Sequence, residues 1–147
     1  MQKTFIVFLA LAVVLAISLN CAPATAADEK PAAGTALPAD GGEPGKAYTA
    51  YCKAITGGDK VALRKLVSAE RAKSMDDPEF AKMFPMIQSM MAKDIKITGG
   101  TMTATTATLN AEGKDPMGGG VSKGTIEMVL EDKQWKVKQD SWKSEMK

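Results

Sequence analysis

The chain contains no histidine. That removes the commonest general base and the commonest metal ligand together, so any proton transfer would fall to a carboxylate or a tyrosine. Cysteine is nearly absent as well, with only Cys21 and Cys52. Neither sign of charge dominates: 19 basic side chains face 17 acidic ones. This is not the strongly basic footprint of a nucleic-acid-binding domain. No apolar run reaches the ~20 residues of a membrane-spanning helix; residues 5–19, apolar or small throughout, stop at 15.

That run has the length of a signal h-region, with Lys3 as its positive start. Ala24-Thr25-Ala26 puts small side chains at −3 and −1 of a cut after Ala26. Residues 1–26 are therefore expected to be a signal peptide, and the mature protein to be periplasmic or secreted. Cys21 supports an alternative, a membrane-anchored lipoprotein acylated at that residue. Ser18 and Asn20 stand where a lipobox carries Leu and a small residue, so simple cleavage is the better match. Cys21 is removed or lipidated on either route, which leaves Cys52 without an intramolecular partner. Its place in a helical pattern beside Tyr51 predicts burial, the usual state of a free cysteine.

Residues 27–43 are Ala, Pro, Gly and acidic residues with almost no large apolar side chain, and read as a flexible linker. The domain is expected to span residues 44–147. Pro44 suits a first helical turn, and Ala47, Tyr48, Tyr51, Ala54 and Ile55 recur at helical spacing. Gly57-Gly58 ends this helix. Asp59 caps a second, with Val61, Ala62, Leu66 and Val67 as its stripe. Residues 68–77 read as a polar connection. Asp77-Pro78 opens a third helix carrying Phe80, Met83, Phe84, Ile87, Met90 and Met91, which Pro85 should kink or divide.

From Asp94 the period changes to two. Ile95 and Ile97 share a face, and Gly99-Gly100 signals a tight hairpin pairing Ile97 with Met102. In the next strand Met102 and Ala104 lie on one face and Ala107, Leu109 and Ala111 on the other. A bulge or burial of both faces would account for this. Residues 112–120, rich in Gly, read as a mobile loop. A hairpin centred on Asp132-Lys133 then pairs Leu130 with Trp135, Met128 with Val137 and Ile126 with Gln139. The other face sets Glu127 against Lys138 and Val129 against Lys136, so apolar meets apolar and acid meets base. Trp142 falls out of phase with this pattern, on the side of Lys138 and Asp140, which a bulge or an interface at the sheet's end would explain. Helices followed by about four antiparallel strands define the α+β class.

These parts resemble the nuclear transport factor 2-like superfamily. PGKAYTAYCKAITGGDKVALRKLVS is similar to its opening, with Tyr48 and Tyr51 on the first helix, then Gly58-Asp59, then Leu63, Leu66 and Val67 on a short second helix. ITGGTMTATTATLNAEG resembles its strand pair, and KGTIEMVLEDKQWKVKQDSW its closing hairpin. The resemblance covers residues 44–142 and is nearest to small exported bacterial domains of unknown function, one branch of which is lumazine-binding-like. It implies helices packed on a curved antiparallel sheet, a cone-shaped, cystatin-like arrangement around an apolar pocket.

Tyr48, Tyr51, Phe84, Leu109, Met128 and Trp135 are the expected pocket lining, by face and by resemblance. The expected role is non-catalytic: binding a small apolar or aromatic ligand or a protein partner, with a homodimer through the sheet as one form. No cofactor, metal or nucleic acid is expected, and a membrane only if Cys21 is lipidated. Glu127 faces Lys138 on the polar side, and no acid is expected inside, which argues against an isomerase- or cyclase-like enzyme. Met83, Met86, Met90 and Met91 could suit Cu(I), but Phe80, Phe84 and Ile87 beside them make an apolar core face the simpler account.

Overall fold

The computed structural model describes residues 34–118 and 120–145. The expected signal peptide and residues 27–33 of the expected linker lie outside the described residues. Among the described residues, strand β1 (Thr35–Leu37) is followed by four helices, α1 (Gly42–Thr56), α2 (Lys60–Leu66), α3 (Ala69–Ser74) and α4 (Pro78–Met90), and then by strands β2 (Lys93–Met102), β3 (Thr106–Lys114), β4 (Val121–Glu131) and β5 (Gln134–Glu145). The strands form one antiparallel meander in sequence order. The α+β class holds, with five strands among the described residues in place of about four.

β1 is the addition. Three residues expected in the linker pair with the end of β2, Ala36 opposite Thr101. Such an edge strand is held by backbone hydrogen bonds and needs little side-chain burial, so an apolar count passes over it. The chain then turns at Gly41, whose N–H donates to Pro38 O at 2.8 Å. α1 buries Pro44, Tyr48, Tyr51, Ala54 and Ile55 on one face. Asp59 caps α2 as expected, its Oδ1 accepting from Ala62 N at 2.9 Å. Leu63 is the buried residue of that helix, and Val61 points out, 70% exposed.

The supposed polar connection holds α3. Ser68 caps it by accepting from Arg71 N, and its six residues carry no apolar stripe, so periodicity gives no sign of them. α4 begins at Asp77-Pro78 as expected and runs without a break through Pro85. Phe84 is buried, but Met83, Met86 and Met90 are exposed. The methionines are a solvent-facing shoulder of the helix rather than core.

β3 alternates strictly, with Ala107, Leu109, Ala111 and Gly113 inward. Ile126 and Met128 of β4 and Val137 of β5 complete the inner face. The tight turn expected at Gly99-Gly100 does not form. Both glycines lie inside β2, beside a register shift between Ile97 and Gly99. A Cβ at Gly100 would sit 2.2 Å from Thr108 O, so glycine here permits close backbone approach rather than a turn. The reversal comes at residues 103–105, where Thr103 N donates to Thr106 O and the Thr103 hydroxyl accepts from Thr106 N. Placing the turn there also resolves the phase change, because Ala104 belongs to neither strand. The expected loop 112–120 is shorter than read. β3 continues to Lys114, and Asp115 organises the turn by accepting from Met117 N at 2.7 Å and from the Ser144 hydroxyl.

Candidate functional site

The closing hairpin turns at Asp132-Lys133, both at positive φ, and pairs Leu130 with Trp135, Val129 with Lys136 and Met128 with Val137 as expected. Beyond Met128 the register slips by one residue. Glu127 faces Gln139 and Ile126 faces Asp140, where Lys138 and Gln139 were expected. Lys138 is the extra residue of a β-bulge, which reverses the facing of everything after it. The bulge turns Asp140 and Trp142 toward the helices and accounts for the odd phase of Trp142. The expectation of no acid inside is thereby corrected: the Asp140 side chain is 16% exposed.

Asp140 meets two partners from different elements. Arg71 Nη1, on α3, donates to Asp140 Oδ1 at 2.8 Å. The Tyr51 hydroxyl, on α1, donates to the same oxygen at 3.3 Å and accepts from Arg71 Nη2 at 2.6 Å. The guanidinium carbon also lies 5.3 Å from the Tyr51 ring centre, within cation–π range. The three groups form a closed triangle. Burial, then the nearby Asp140 carboxylate, holds the Tyr51 hydroxyl well above its ordinary value. Burial works against the Arg71 charge, and the adjoining Tyr51 and Asp140 outweigh it, so its pKa is raised.

One turn earlier on α1, Tyr48 stacks on Tyr51 with ring centres 5.5 Å apart. Its hydroxyl is buried without a hydrogen-bond partner among the described residues, as is the indole Nε1 of Trp142. Burial first, then Cys52 and Asp140 nearby, raises the Tyr48 pKa against the opposing influence of the Trp142 N–H. Cys52 is half-buried rather than fully buried, and burial pushes its thiol up to about 12. The thiol is therefore held in its protonated form at neutral pH. Trp142 lies flat over Gly124, where a Cβ would come within 2.8 Å of the indole.

Three spaces adjoin these groups. A polar cleft of about 370 Å³ lies outside the triangle, lined by Ser68, Ser74, Arg71, Lys138 and Asp140. A more apolar open groove of about 430 Å³ runs between α1 and β2, along Tyr48, Cys52, Ile95 and Ile97. The most enclosed space is apolar, about 30 Å³, and is walled by Tyr51, Leu63, Val67, Met75, Phe80 and Phe84 with Arg71 at its rim. Tyr51 and Phe84 of the expected lining meet there, and Tyr48 lines the α1–β2 groove. Leu109 and Met128 are fully buried sheet residues beneath α1. Trp135 is half-buried near Lys65 and Leu66, beside an outward-facing hollow. Arg71, Asp140 and Trp142 were not among the expected site residues. The broken phase of Trp142 was the signal for the bulge that also brings Asp140 inward, whereas Arg71 sits on a helix without an apolar stripe.

Among the described residues no cluster of acidic or cysteine side chains could hold a metal, and no helix is long and apolar enough to cross a membrane. No protein-family model matches the chain, and no curated protein matches it. Among solved structures the chain is similar to an NTF2-like (nuclear transport factor 2-like) protein of unknown function from Shewanella baltica OS155, at 13% identity and a TM-score of 0.48, covering 71% of this chain and 93% of that one.

Proposed function

We propose that this chain is an exported, non-catalytic binding domain that takes a small, neutral, apolar or aromatic ligand beneath α3. The observation that carries this reading is the enclosed space walled by Tyr51, Leu63, Val67, Met75, Phe80 and Phe84. Its walls are apolar and aromatic, so a ligand there would gain by burying carbon against carbon, at roughly 25 cal/mol per Å². Its present size, about 30 Å³, admits a water-sized body and no more. Ligand sites are typically about 300–1,000 Å³, so on this reading the space must enlarge to take a ligand. Binding requires α3 and Met75 to move outward.

The test is thermal unfolding with a panel of neutral aromatic compounds, N-phenyl-1-naphthylamine included. A ligand at about tenfold above its Kd adds roughly 1.4 kcal/mol and raises Tm by several degrees in a domain of this size. A flat response across the panel contradicts the reading.

One observation favours a second reading. Asp140 is a largely buried carboxylate beside a tyrosine hydroxyl, the first requirement of an isomerase- or cyclase-like enzyme. Against it, Asp140 Oδ1 already accepts from both Arg71 and Tyr51, so this oxygen is occupied in fixing the fold. Turnover of an enolisable ketone that Asp140→Asn abolishes would establish the enzyme reading. Export is checked by the intact mass of the protein from its native source. A start at Ala27 supports simple secretion, and an acylated Cys21 supports the tethered form.

A further inference from the structure

We infer that α3 is a door over the apolar space and that Arg71 is its latch, closed on Asp140 and Tyr51; this rests on the binding reading above. α3 differs from its neighbours in what holds it. None of its residues is buried, and only Ala72, with Met75 just beyond the helix, packs partly against the core. Its remaining attachments are polar and lie at definite points. At the leading end, Ser68 N donates to Val137 O at 2.9 Å and Ala69 N to Glu131 Oε2 at 3.0 Å. At the trailing end, Arg64 pairs with Asp76. Between them stands Arg71, whose guanidinium reaches both the end of the β5 bulge and the first helix.

A segment with few buried apolar contacts and a small number of polar ties belongs to the low-stability end of a structure. It can swing out while the body stays folded. Ser68 and Asp77, the caps of α3 and α4, are the natural hinge points, because each already interrupts a helix. Outward movement would carry Met75 and the Arg71 stem off one wall of the space and join it to the polar cleft outside. Tyr51 would stay, since it is anchored on α1. The Arg71 pair is well suited to a latch. Its side chains are 32% and 16% exposed, enough for water to take over the charges on opening, so release does not strand a fully buried ion.

The test compares the wild-type chain with Arg71→Met, which keeps the aliphatic stem and removes the guanidinium. A second variant, Tyr51→Phe, keeps the ring and removes one contact. Amide hydrogen exchange of residues 69–76 is measured with the association rate of N-phenyl-1-naphthylamine. The latch predicts at least tenfold faster exchange in α3 for Arg71→Met, a smaller increase for Tyr51→Phe, and unchanged exchange at Leu109 and Ile126. It also predicts at least tenfold faster probe association for Arg71→Met. Unchanged α3 exchange with the probe binding both proteins at the same rate overturns the latch and leaves the binding reading standing. Faster α3 exchange with no probe binding to any of the three proteins overturns both. Equal acceleration at α3, Leu109 and Ile126 in both variants marks Arg71 as a general stabiliser and overturns the latch.

Discussion

α1 and α3 lie on either side of the same triangle and are built on opposite principles. α1 spans 15 residues and buries Tyr48, Tyr51, Ala54 and Ile55 against the sheet. α3 spans six and buries nothing. One is fixed by apolar area, at about 1.5–3 kcal/mol for each large side chain fully removed from water. The other is held by a cap and the Arg71 contacts, each worth about 1 kcal/mol or less where water can reach, and by a few further polar ties at its ends. The fold thus has an apolar-packed body and a lightly attached segment within one small domain, and the enclosed apolar space lies between them.

The largest effect that separates the two comes from truncating the body. Leu109→Ala removes a fully buried side chain beneath α1 and is expected to lower stability by about 3 kcal/mol in urea unfolding. The same kind of truncation on the exposed shoulder of α4, Met86→Ala, is expected to change stability by less than about 0.5 kcal/mol. Similar losses at both sites would erase the distinction between body and surface.

Gly124→Ala comes next. Its Cβ would collide with the Trp142 indole, and overpacking of this kind costs about 1–3 kcal/mol. In the Trp142→Leu background the cost should fall below about 1 kcal/mol, because the colliding ring is gone. A cost unchanged by that background would mean that Trp142 does not point inward.

Asp140→Asn is expected to cost about 1–2 kcal/mol, the range for a hydrogen-bonded charge pair that solvent partly screens. The loss should appear mainly as faster exchange in α3. A uniform loss across the sheet would tie Asp140 to the body rather than to the attached segment.

The smallest effect at neutral pH, and a growing one in alkali, comes from the buried phenols. Tyr48 and Tyr51 are held above the ordinary 10.0, and Cys52 is held at about 12 against an ordinary 9.0. The folded state keeps these protons after the unfolded chain has begun to lose them. Their contribution is therefore complete below about pH 9 and declines as pH rises, through about 12 for Cys52 and from 10 upward for the tyrosines. The decline is at most about 1.4 kcal/mol per pH unit for each group. Tyr48→Phe should flatten this alkaline decline. An equally steep fall in that variant would remove Tyr48 as a cause.

The parts legible in the sequence were those that follow a period. The buried face of α1, the Asp59 cap and the Asp132-Lys133 turn all follow from spacing and local chemistry. The pairs Leu130–Trp135 and Met128–Val137 do so too. What escaped were departures from period. Gly99-Gly100 carries the composition of a turn, yet the close approach of Thr108 O makes those glycines strand residues. Thr103 carries no turn signal of its own, but its hydroxyl organises the real reversal. Lys138 is one residue without a ladder partner, though its side chain still meets Glu127 at 3.8 Å as expected, and it moves Asp140 and Trp142 from the outer face to the inner one. The candidate site was legible only at Tyr51 and Phe84, since Arg71 sits on a helix without an apolar stripe and Asp140 depends on the bulge.

The most direct measurement is an amide shift map of the ¹⁵N-labelled chain titrated with N-phenyl-1-naphthylamine. Shifts centred on Tyr51, Phe84 and residues 69–76, with α3 signals moving furthest, are the result expected of a ligand taken in beneath α3. Shifts confined to Ile95, Ile97 and the α1–β2 groove, or to the outer face of the sheet, would contradict the account and turn the protein's binding surface to its other side.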